Sequence, residues 1–129
     1  MAKCFEHRSI EYDELLNHYP AALYVKGQAL QVNDVFGFYL KDVQALTEEV
    51  AFIYRCKIVE AQKKTGSAGE AINEGDKLYY YPGVEQVSPV KSGTAGTDYY
   101  FCGWAKEDAT ATATTVIMRF DGTMWELGL

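Results

Sequence analysis

The chain has 129 residues, of which 48% are hydrophobic and 23% are charged, a balance that is typical of one globular domain and excludes a mainly disordered protein. It carries 12 Lys and Arg against 18 Asp and Glu, a net charge of −6, so nucleic acid and membrane surfaces are not expected partners, since both attract clustered positive charge. The aromatic residues comprise 10 Tyr, 6 Phe and 2 Trp, and such a tyrosine-rich set suits exposed strand faces and protein interfaces.

Residues 1–19 are polar and charged and differ from the rest of the chain. Ser9 is a candidate N-cap for a short helix that runs to about Asn17. The segment has too few apolar side chains to fold alone, because ordering the backbone costs about 1–2 kcal/mol per residue. It either docks on its own domain or forms an arm that docks on a neighbour, and we expect an arm over residues 1–19 that is ordered only on a partner surface. Its candidate contact residues are Phe5, Ile10, Tyr12, Leu15, Leu16 and Tyr19.

Short segments with strand character begin at Ala21. Residues 22–25 and 30–32 are two of them, and residues 35–40 form another, in which Gly37 marks a bulge or a close approach. Residues 50–59 alternate between two faces, and their six aromatic or β-branched residues favour a strand over the competing helix. The face that begins at Val50 is expected to be buried.

The second half of the chain continues with strands bounded by turns. Pro82-Gly83 is a turn between two segments with strand character, residues 77–81 and 84–90. A strongly aromatic strand over residues 99–106 and a threonine-rich strand over residues 110–120 follow. The predicted core draws on both halves and consists of Val50, Phe52, Tyr54, Cys56, Ile58, Leu78, Trp104, Val116, Met118 and Phe120.

The chain ends in a turn at Asp121-Gly122 and a short apolar C-terminal tail, residues 123–129. Trp125 and Leu127 are the candidate contact residues of this tail, which packs either on its own domain or on another chain, since tryptophan is a common interface anchor. Many short strands at near-regular spacing predict an all-β fold, a small barrel or sandwich over residues 20–122.

Three cysteines, Cys4, Cys56 and Cys102, stand far apart in the sequence. None has the spacing of a metal-binding pair, so we expect no metal and no cofactor, and thiols that stay reduced in a soluble intracellular protein. Cys56 lies on the apolar face of its strand and is interpreted as a core thiol rather than a nucleophile.

No catalytic residue is predicted, and the chain is not expected to be an enzyme. The run KKTGS at residues 63–67 is not a phosphate-binding P-loop, which needs a glycine, four residues and then Gly-Lys-Ser/Thr. His7 and His18 lie in the polar N-terminal segment and are interpreted as surface residues. A catalytic histidine needs a positioned nucleophile and an orienting carboxylate, which the pattern does not supply.

Several short segments stand in an order that a known family shares. They are the apolar-Phe-Gly-apolar strand at residues 35–38, the alternating strand at 48–58, the AINEGDKLY turn and strand at 71–79, FCGWA at 101–105, and the closing strand and glycine at 116–122. The chain thereby resembles, over about residues 21–122, the small capsid cement (head decoration) proteins of tailed bacteriophages. Members of that family are sometimes labelled phage recombinases. These residues give that label no support, because they contain neither a Walker lysine nor an α/β pattern.

The resemblance implies a compact β-barrel-like domain without enzyme activity that binds the outside of an icosahedral shell. Its partners would be the major capsid protein and other copies of this chain, with a homotrimer favoured and a dimer possible. The protein would be made in the host cytoplasm and would end on the capsid exterior of the virion. Residues 1–19 are longer and more charged than the family's pattern, and the tail after Gly122 is additional, so both bear on the mode of docking.

Two other classes of function stay open from the residues alone. One is a small-ligand or carbohydrate-binding β-barrel module whose aromatic side chains line a pocket. The other is a small hydrolase with an unrecognised site. Saturable ligand binding without shell binding would separate the ligand-binding module from a capsid protein.

Overall fold

The fold is built from antiparallel strands, as seen in a computed structural model that describes residues 4–8 and 14–125. Strands make up 46% of the chain, and the described residues include no helix of seven or more residues, so the prediction of an all-β fold is confirmed. None of the described segments forms a helix long and apolar enough to cross a membrane. A 3-10 turn spans Ala68–Glu70. The strands are β1 (Phe5–His7), β2 (Glu14–His18), β3 (Ala29–Val32), β4 (Val35–Tyr39), β5 (Val50–Gln62), β6 (Lys77–Tyr81), β7 (Gln86–Ser88), β8 (Tyr100–Ala105) and β9 (Thr115–Asp121).

These strands form one curled sheet in the order β3-β4-β5-β9-β8-β6-β7. The long strand β5 is paired along both edges, with β4 and β9 on one edge and β1 and β2 on the other. The sheet curls into a half-barrel. Its far strand β7 meets the end of β5, where Lys63 forms a parallel bridge with Val87 and the Lys64 amide donates a hydrogen bond of 2.9 Å to the Val87 carbonyl.

Strand β5 does not keep a single buried face along its length. Phe52 is buried in a small cluster on one side of the sheet, whereas Cys56 and Val59 belong to the main core. The pairing with β9 also shifts in register between Cys56 and Val59, so strict alternation does not hold along the whole strand. The prediction of Tyr54 and Ile58 as core residues is therefore wrong, because both are only half-buried.

The main core lies inside the curl of the sheet and is rich in aromatic rings. Phe5, Phe38 and Phe120 contact one another with ring centroids between 4.9 and 5.4 Å apart, and two of these contacts have the edge-to-face geometry that aromatic quadrupoles favour. Trp104 was expected in the core but is only half-buried. The predicted core residues that are buried are Val50, Phe52, Cys56, Leu78, Val116, Met118 and Phe120.

Strands β1 and β2 correct the expectation of an N-terminal arm. Phe5 is fully buried in the main core, and β1 pairs with the end of β5 with Phe5 opposite Ala61. Glu14–His18 is a strand, so the helix predicted as far as Asn17 is wrong for these residues. The physical reason is that the edge of β5 offers backbone N–H and C=O groups that need partners, and a neighbouring strand satisfies them.

Trp125 packs on its own domain, which is one of the two possibilities that the sequence left open for the tail. Its indole Nε1 donates a hydrogen bond of 3.0 Å to the carbonyl of Asp34, and its ring lies 5.6 Å from that of Tyr100. This hydrogen bond connects the segment that follows β9 to the turn between β3 and β4. Leu127, the other candidate of the tail, lies outside the described residues.

Gly37 in β4 marks a close approach, which is one of the two alternatives that the sequence left open. A Cβ atom at this position would collide with the carbonyl oxygen of Ile53 and would lie 2.6 Å from a ring atom of Phe52. The missing side chain lets the Phe52 ring lie across β4, so this glycine is required by the packing of the neighbouring strand.

Replacing Phe5 by alanine should lower the free energy of unfolding by about 3–5 kcal/mol, the usual range for a buried phenylalanine. Tyr19→Ala is a control from the same N-terminal segment. Because Tyr19 is 63% exposed, its replacement should change stability by no more than about 0.5 kcal/mol. Urea unfolding followed by circular dichroism measures both variants. If Phe5→Ala were as stable as the parent, β1 would be an arm after all.

Replacing Gly37 by alanine should lower the free energy of unfolding by about 1–3 kcal/mol, because the added methyl group overpacks the contact between β4 and β5. Gly83→Ala is the matched control, since nothing lies within 4 Å of a Cβ atom at that position. That variant should stay within about 0.5 kcal/mol of the parent. Thermal melting compares the two, and identical melting temperatures would contradict the close approach.

Candidate functional site

The second face of the sheet carries a shallow groove of about 260 Å³, which we call the aromatic groove. On one side it is bordered by the end of β2 and the loop that follows this strand. On the other side it is bordered by the hairpin of β3 and β4. Its lining residues are His18, Tyr19, Ala21, Tyr24, Leu30, Gln31, Val32, Asn33 and Tyr39.

Strand pairing brings the parts of the groove together. Tyr39 of β4 stands opposite Phe52 of β5, and His18 of β2 stands opposite Val50 of β5. Alternation along β4 sends Phe38 into the main core and Tyr39 to the other face. The floor of the groove is therefore the small cluster on this second face, formed by Tyr39, Val43, Val50 and Phe52, against which Tyr24, Leu30, Val32 and Val35 pack.

Three rings in the groove form a nearly parallel stack with Tyr39 in the middle. The Tyr24 and Tyr39 ring centroids are 5.1 Å apart with an interplanar angle of 13°, and those of His18 and Tyr39 are 5.6 Å apart at 11°. The His18 Nε2 and the Tyr39 hydroxyl are also 3.0 Å apart and share a hydrogen bond. This bond fixes the histidine on the tyrosine, and β2 is thereby held to β4 across β5.

The stack is uncharged at neutral pH. Burial lowers the pKa of His18 below its ordinary value of 6.5, because an imidazolium loses hydration in the groove. Burial, with a smaller contribution from Tyr24, raises the pKa of Tyr39 to about 12. The groove therefore presents neutral rings and amides to whatever it contacts.

Large apolar side chains are exposed beside the groove. Tyr19 and Leu23 belong to the loop between β2 and β3, and each is 63% exposed. Apolar side chains clustered beside a concave surface are typical of contact sites for other molecules.

A second groove lies beside β6, near the end of the sheet that β7 forms. It is larger, about 590 Å³, and is lined by Lys64, Tyr81, Pro82, Gly83, Val84, Ser92, Gly93, Thr97 and Asp98. The Lys64 ammonium lies 4.9 Å from the centre of the Tyr81 ring, a cation–π contact that covers this ring. Val84 and Val90 are exposed in the same region, so the described surface carries an apolar patch here that is separate from the aromatic groove.

The run at residues 63–67 has a structural role at the closure of the sheet. Lys63 is buried, and its ammonium donates hydrogen bonds of 2.7 Å to the Lys64 carbonyl and 3.2 Å to the Ala111 carbonyl. Burial lowers the pKa of Lys63, and nearby Glu70 opposes this effect. The lysine is thus held by backbone oxygens at the point where β5 meets β7.

The cysteines are buried and do not form a reactive centre. All three are free thiols, and burial raises the pKa values of Cys4 and Cys102 above the ordinary value, so neither is a thiolate at neutral pH. Within residues 4–8 and 14–125 there is no group of three or more His, Cys, Asp or Glu residues placed to hold a metal ion.

The predicted contact residues fall in different places. Phe5 and Trp125 are buried in their own domain, and Tyr19 lines the aromatic groove. Leu15 and Leu16 lie in β2, where only the backbone is described. The candidates that lie outside the described residues are Ile10, Tyr12 and Leu127.

Sequence reasoning missed four residues of this surface, namely His18, Leu23, Tyr24 and Tyr39. His18 was interpreted as an exposed residue, although it is half-buried in the groove. The strand pattern of residues 35–40 could have indicated Tyr39, because alternation places its side chain on the other face of the strand from Phe36 and Phe38. No local pattern indicates that the loop containing Tyr24 folds over this face.

Lowering the pH below 6.5 should destabilise the protein partly through His18. The folded state lowers the pKa of His18, so the unfolded chain takes up the proton more readily, and the contribution grows as the pH falls from 6.5 through the folded pKa. His18→Gln should therefore lose less stability between pH 7.5 and pH 5 than the parent. Leu46→Gln, at an exposed position, is the control and should keep the parent's pH dependence, because it leaves His18 in place and removes no titratable group. Urea unfolding at each pH measures the difference, and parallel curves for parent and His18→Gln would contradict it.

Comparison with known proteins adds no relative to these observations. No family model, no curated protein and no solved structure matches the chain. A function must therefore be inferred from the residues, their geometry and their charge.

Proposed function

We propose that the protein is a structural virion protein, a cement protein that binds the outer surface of a tailed-phage capsid and stabilises contacts between capsomers of the major capsid protein. The observation that carries this proposal is the aromatic groove, with Tyr19 exposed in its lining and Leu23 exposed in the same loop. A neutral aromatic surface bordered by exposed apolar side chains suits burial against a protein partner. The resemblance of residues 21–122 to capsid cement proteins supplies the identity of that partner.

The charge of the chain supports an adhesive role on a protein shell. A net charge of −6 keeps free copies apart in solution before assembly and disfavours binding to the packaged genome. The apolar patches then provide the attraction at close range. The curled antiparallel sheet with its aromatic core supplies a rigid support for these patches.

The two patches of the described surface are separate, and this separation suits a protein that contacts both a shell and its own copies. The aromatic groove would face the shell, and the region of Val84 and Val90 would face a sister subunit. A closed homo-oligomer suits the symmetric positions of a shell. A homotrimer is favoured over a dimer by analogy with other phage decoration proteins.

The contact residues of the proposed shell interface differ from those expected from the sequence. Phe5 and Trp125 are buried and do not belong to it. Tyr19 stays a candidate, Tyr24 joins it from the lining of the groove, and Leu23 joins it as an exposed residue of the same loop. The shell contacts of Ile10, Tyr12, Leu15, Leu16 and Leu127 stay predictions.

A small-ligand or carbohydrate-binding module is the alternative function. The observation that favours it is the concave shape of the aromatic groove, whose stacked rings offer a platform for the apolar face of a sugar. The amides of Gln31 and Asn33 at the rim are groups that bind sugar hydroxyls.

Binding to capsid shells tests the proposal directly. The purified protein, mixed with empty expanded shells of the phage that encodes it, should sediment with them saturably. Tyr19→Asp should weaken this binding at least about tenfold, which corresponds to about 1.4 kcal/mol, because it places a charge in the lining of the groove. Leu46→Asp is the control, since Leu46 is similarly exposed but does not line the groove.

Two results would contradict the capsid proposal. The first is that the protein does not sediment with its own shells. The second is that it binds a saccharide saturably without binding shells, which would support the alternative function. Equal shell binding by Tyr19→Asp and Leu46→Asp would leave the capsid role in place but exclude the aromatic groove as the contact surface.

A further inference from the structure

Strand β3 lies at one end of the strand order, so its outer edge has no partner among the described strands. Along an antiparallel strand, the backbone N–H and C=O groups of successive residues point alternately toward the partner strand and away from it. The Gln28 carbonyl accepts a hydrogen bond from β4, so this alternation directs the backbone groups of Ala29 and Gln31 outward. We call these two residues the β3 edge, and no described residue pairs with their outward groups.

The β3 edge is blocked at both of its ends. At one end the Gly27 carbonyl accepts hydrogen bonds of 3.3 Å from the amides of residues 4 and 5, so the N-terminal segment already occupies this position. At the other end Asn33 has a φ of 51°, a left-handed turn conformation that does not continue an extended strand. A further strand can therefore form backbone hydrogen bonds only with the two residues of the β3 edge.

Nothing in the sequence of β3 discourages such pairing. Natural edge strands are commonly protected by lysine, proline or a β-bulge, and Ala29–Val32 contains none of them. The other end of the strand order is already covered, because residues 63 and 64 pair with Val87 on the outer side of β7. Of these two ends, β3 is the one that is open to a further strand.

We propose that the β3 edges of two copies of this chain pair antiparallel, about a two-fold axis at Leu30. Ala29 of each copy then lies opposite Gln31 of the other, and each of these pairs exchanges two backbone hydrogen bonds. A shift of two residues in either direction would place an edge residue opposite Gly27 or Asn33, where the edge is blocked, and would leave a single pair. The bounded edge therefore selects one register and a closed dimer.

The side chains of this register are apolar on the face that carries the aromatic groove. The two Leu30 side chains meet across the axis as a non-hydrogen-bonded pair, the arrangement in which side chains of facing strands come closest. Leu30 and Val32 are only partly buried in a single chain, where they pack on the small cluster. Pairing covers their exposed parts and places the aromatic grooves of both copies on one face of a continuous sheet.

Charged residues at the two ends of β3 are complementary in the same register. Lys26 and Asp34 each stand four positions from Leu30, so antiparallel pairing brings Lys26 of each copy next to Asp34 of the other. Both residues are exposed, and neither forms an ion pair with a described residue. This complementarity favours a second copy of the chain over an unrelated strand as the partner of the β3 edge.

The contact is expected to be weak in dilute solution, because a net charge of −6 repels two copies and the paired edge is short. We expect a dissociation constant on the order of 100 μM, which corresponds to a weak and transient interface. The dimer is a property of the free chain and goes beyond the capsid proposal. It uses a different surface from the region of Val84 and Val90, which that proposal assigns to a sister subunit.

Disulfide trapping of the full chain tests the register. In Leu30→Cys the two introduced thiols face each other across the axis with Cα atoms about 4.5 Å apart, a distance that a disulfide spans. Mild oxidation should therefore give a covalent dimer. Val32→Cys is the matched control on the same face of the strand, and it should stay monomeric, because the two copies of this position lie about 14 Å apart. The parent should not cross-link either, since its three cysteines are buried.

Sedimentation velocity at rising concentration measures the equilibrium itself, and the parent should change from monomer to dimer. Gln31→Pro removes the outward N–H, which an edge strand tolerates, and should weaken association at least about tenfold. Gln31→Thr keeps this N–H and should associate within about twofold of the parent. Circular dichroism melting shows that both variants are folded.

A charge exchange tests the ends of the pairing. Asp34→Lys makes the chain less negative and reduces the general repulsion, yet it should weaken association at least about threefold, because it places two ammonium groups together at each end. Adding Lys26→Glu to this variant should restore the association of the parent, since each ion pair is re-formed with the opposite polarity.

The inference is overturned if the parent stays monomeric up to about 1 mM, if Val32→Cys cross-links as readily as Leu30→Cys, or if Gln31→Pro associates like Gln31→Thr. A monomeric parent whose Gln31→Pro variant loses shell binding would also overturn it and would assign the β3 edge to a strand of the shell protein. Shell binding by a monomer would leave the cement role in place, whereas a dimer that binds no shell would retain this inference and refute the cement role.

Discussion

The pairing of β5 along both edges is the constraint on which the rest of the structure depends. β4 and β9 occupy one edge, and β1 and β2 occupy the other. A strand with partners on both edges can pair its backbone donors and acceptors within the sheet, which allows its residues Phe52 and Ile53 to be fully buried. The N-terminal strands are thereby part of the sheet, and Phe5 becomes a central residue of the main core.

Strand β5 contributes to two apolar surfaces, the main core and the small cluster beneath the aromatic groove. Val50 and Phe52 face the small cluster, whereas Ile53, on the opposite face of the strand, belongs to the main core together with Cys56 and Val59. The main core is closed by the curl of the sheet, whereas the small cluster on the opposite face is covered by Tyr24 from the loop after β2 and by Val43 from the loop after β4. The aromatic groove exists because this second face is apolar and incompletely covered.

Sequence periodicity predicted those parts of the fold that depend on neighbours along the chain. The all-β fold, the close approach at Gly37 and the burial of Leu78, Val116, Met118 and Phe120 follow from alternation and glycine placement. The positions of β1 and β2 could not be predicted, because they depend on pairing with a strand far away in the sequence. The groove could not be predicted for the same reason. It is formed by a loop, a hairpin and the end of β2, and no short sequence pattern indicates that these elements lie next to one another.

The distance along the chain between β1 and its partner also affects how the protein is made. Cys4 and Gln62, which lie at this junction, are 58 positions apart, so the N-terminal strands leave the ribosome well before the edge they pair with. At about 5–20 residues per second that interval lasts roughly 3–12 seconds. Pairing at such long separation also slows folding. During synthesis the ring of Phe5 is therefore exposed to chaperones and to other nascent chains until β5 has emerged.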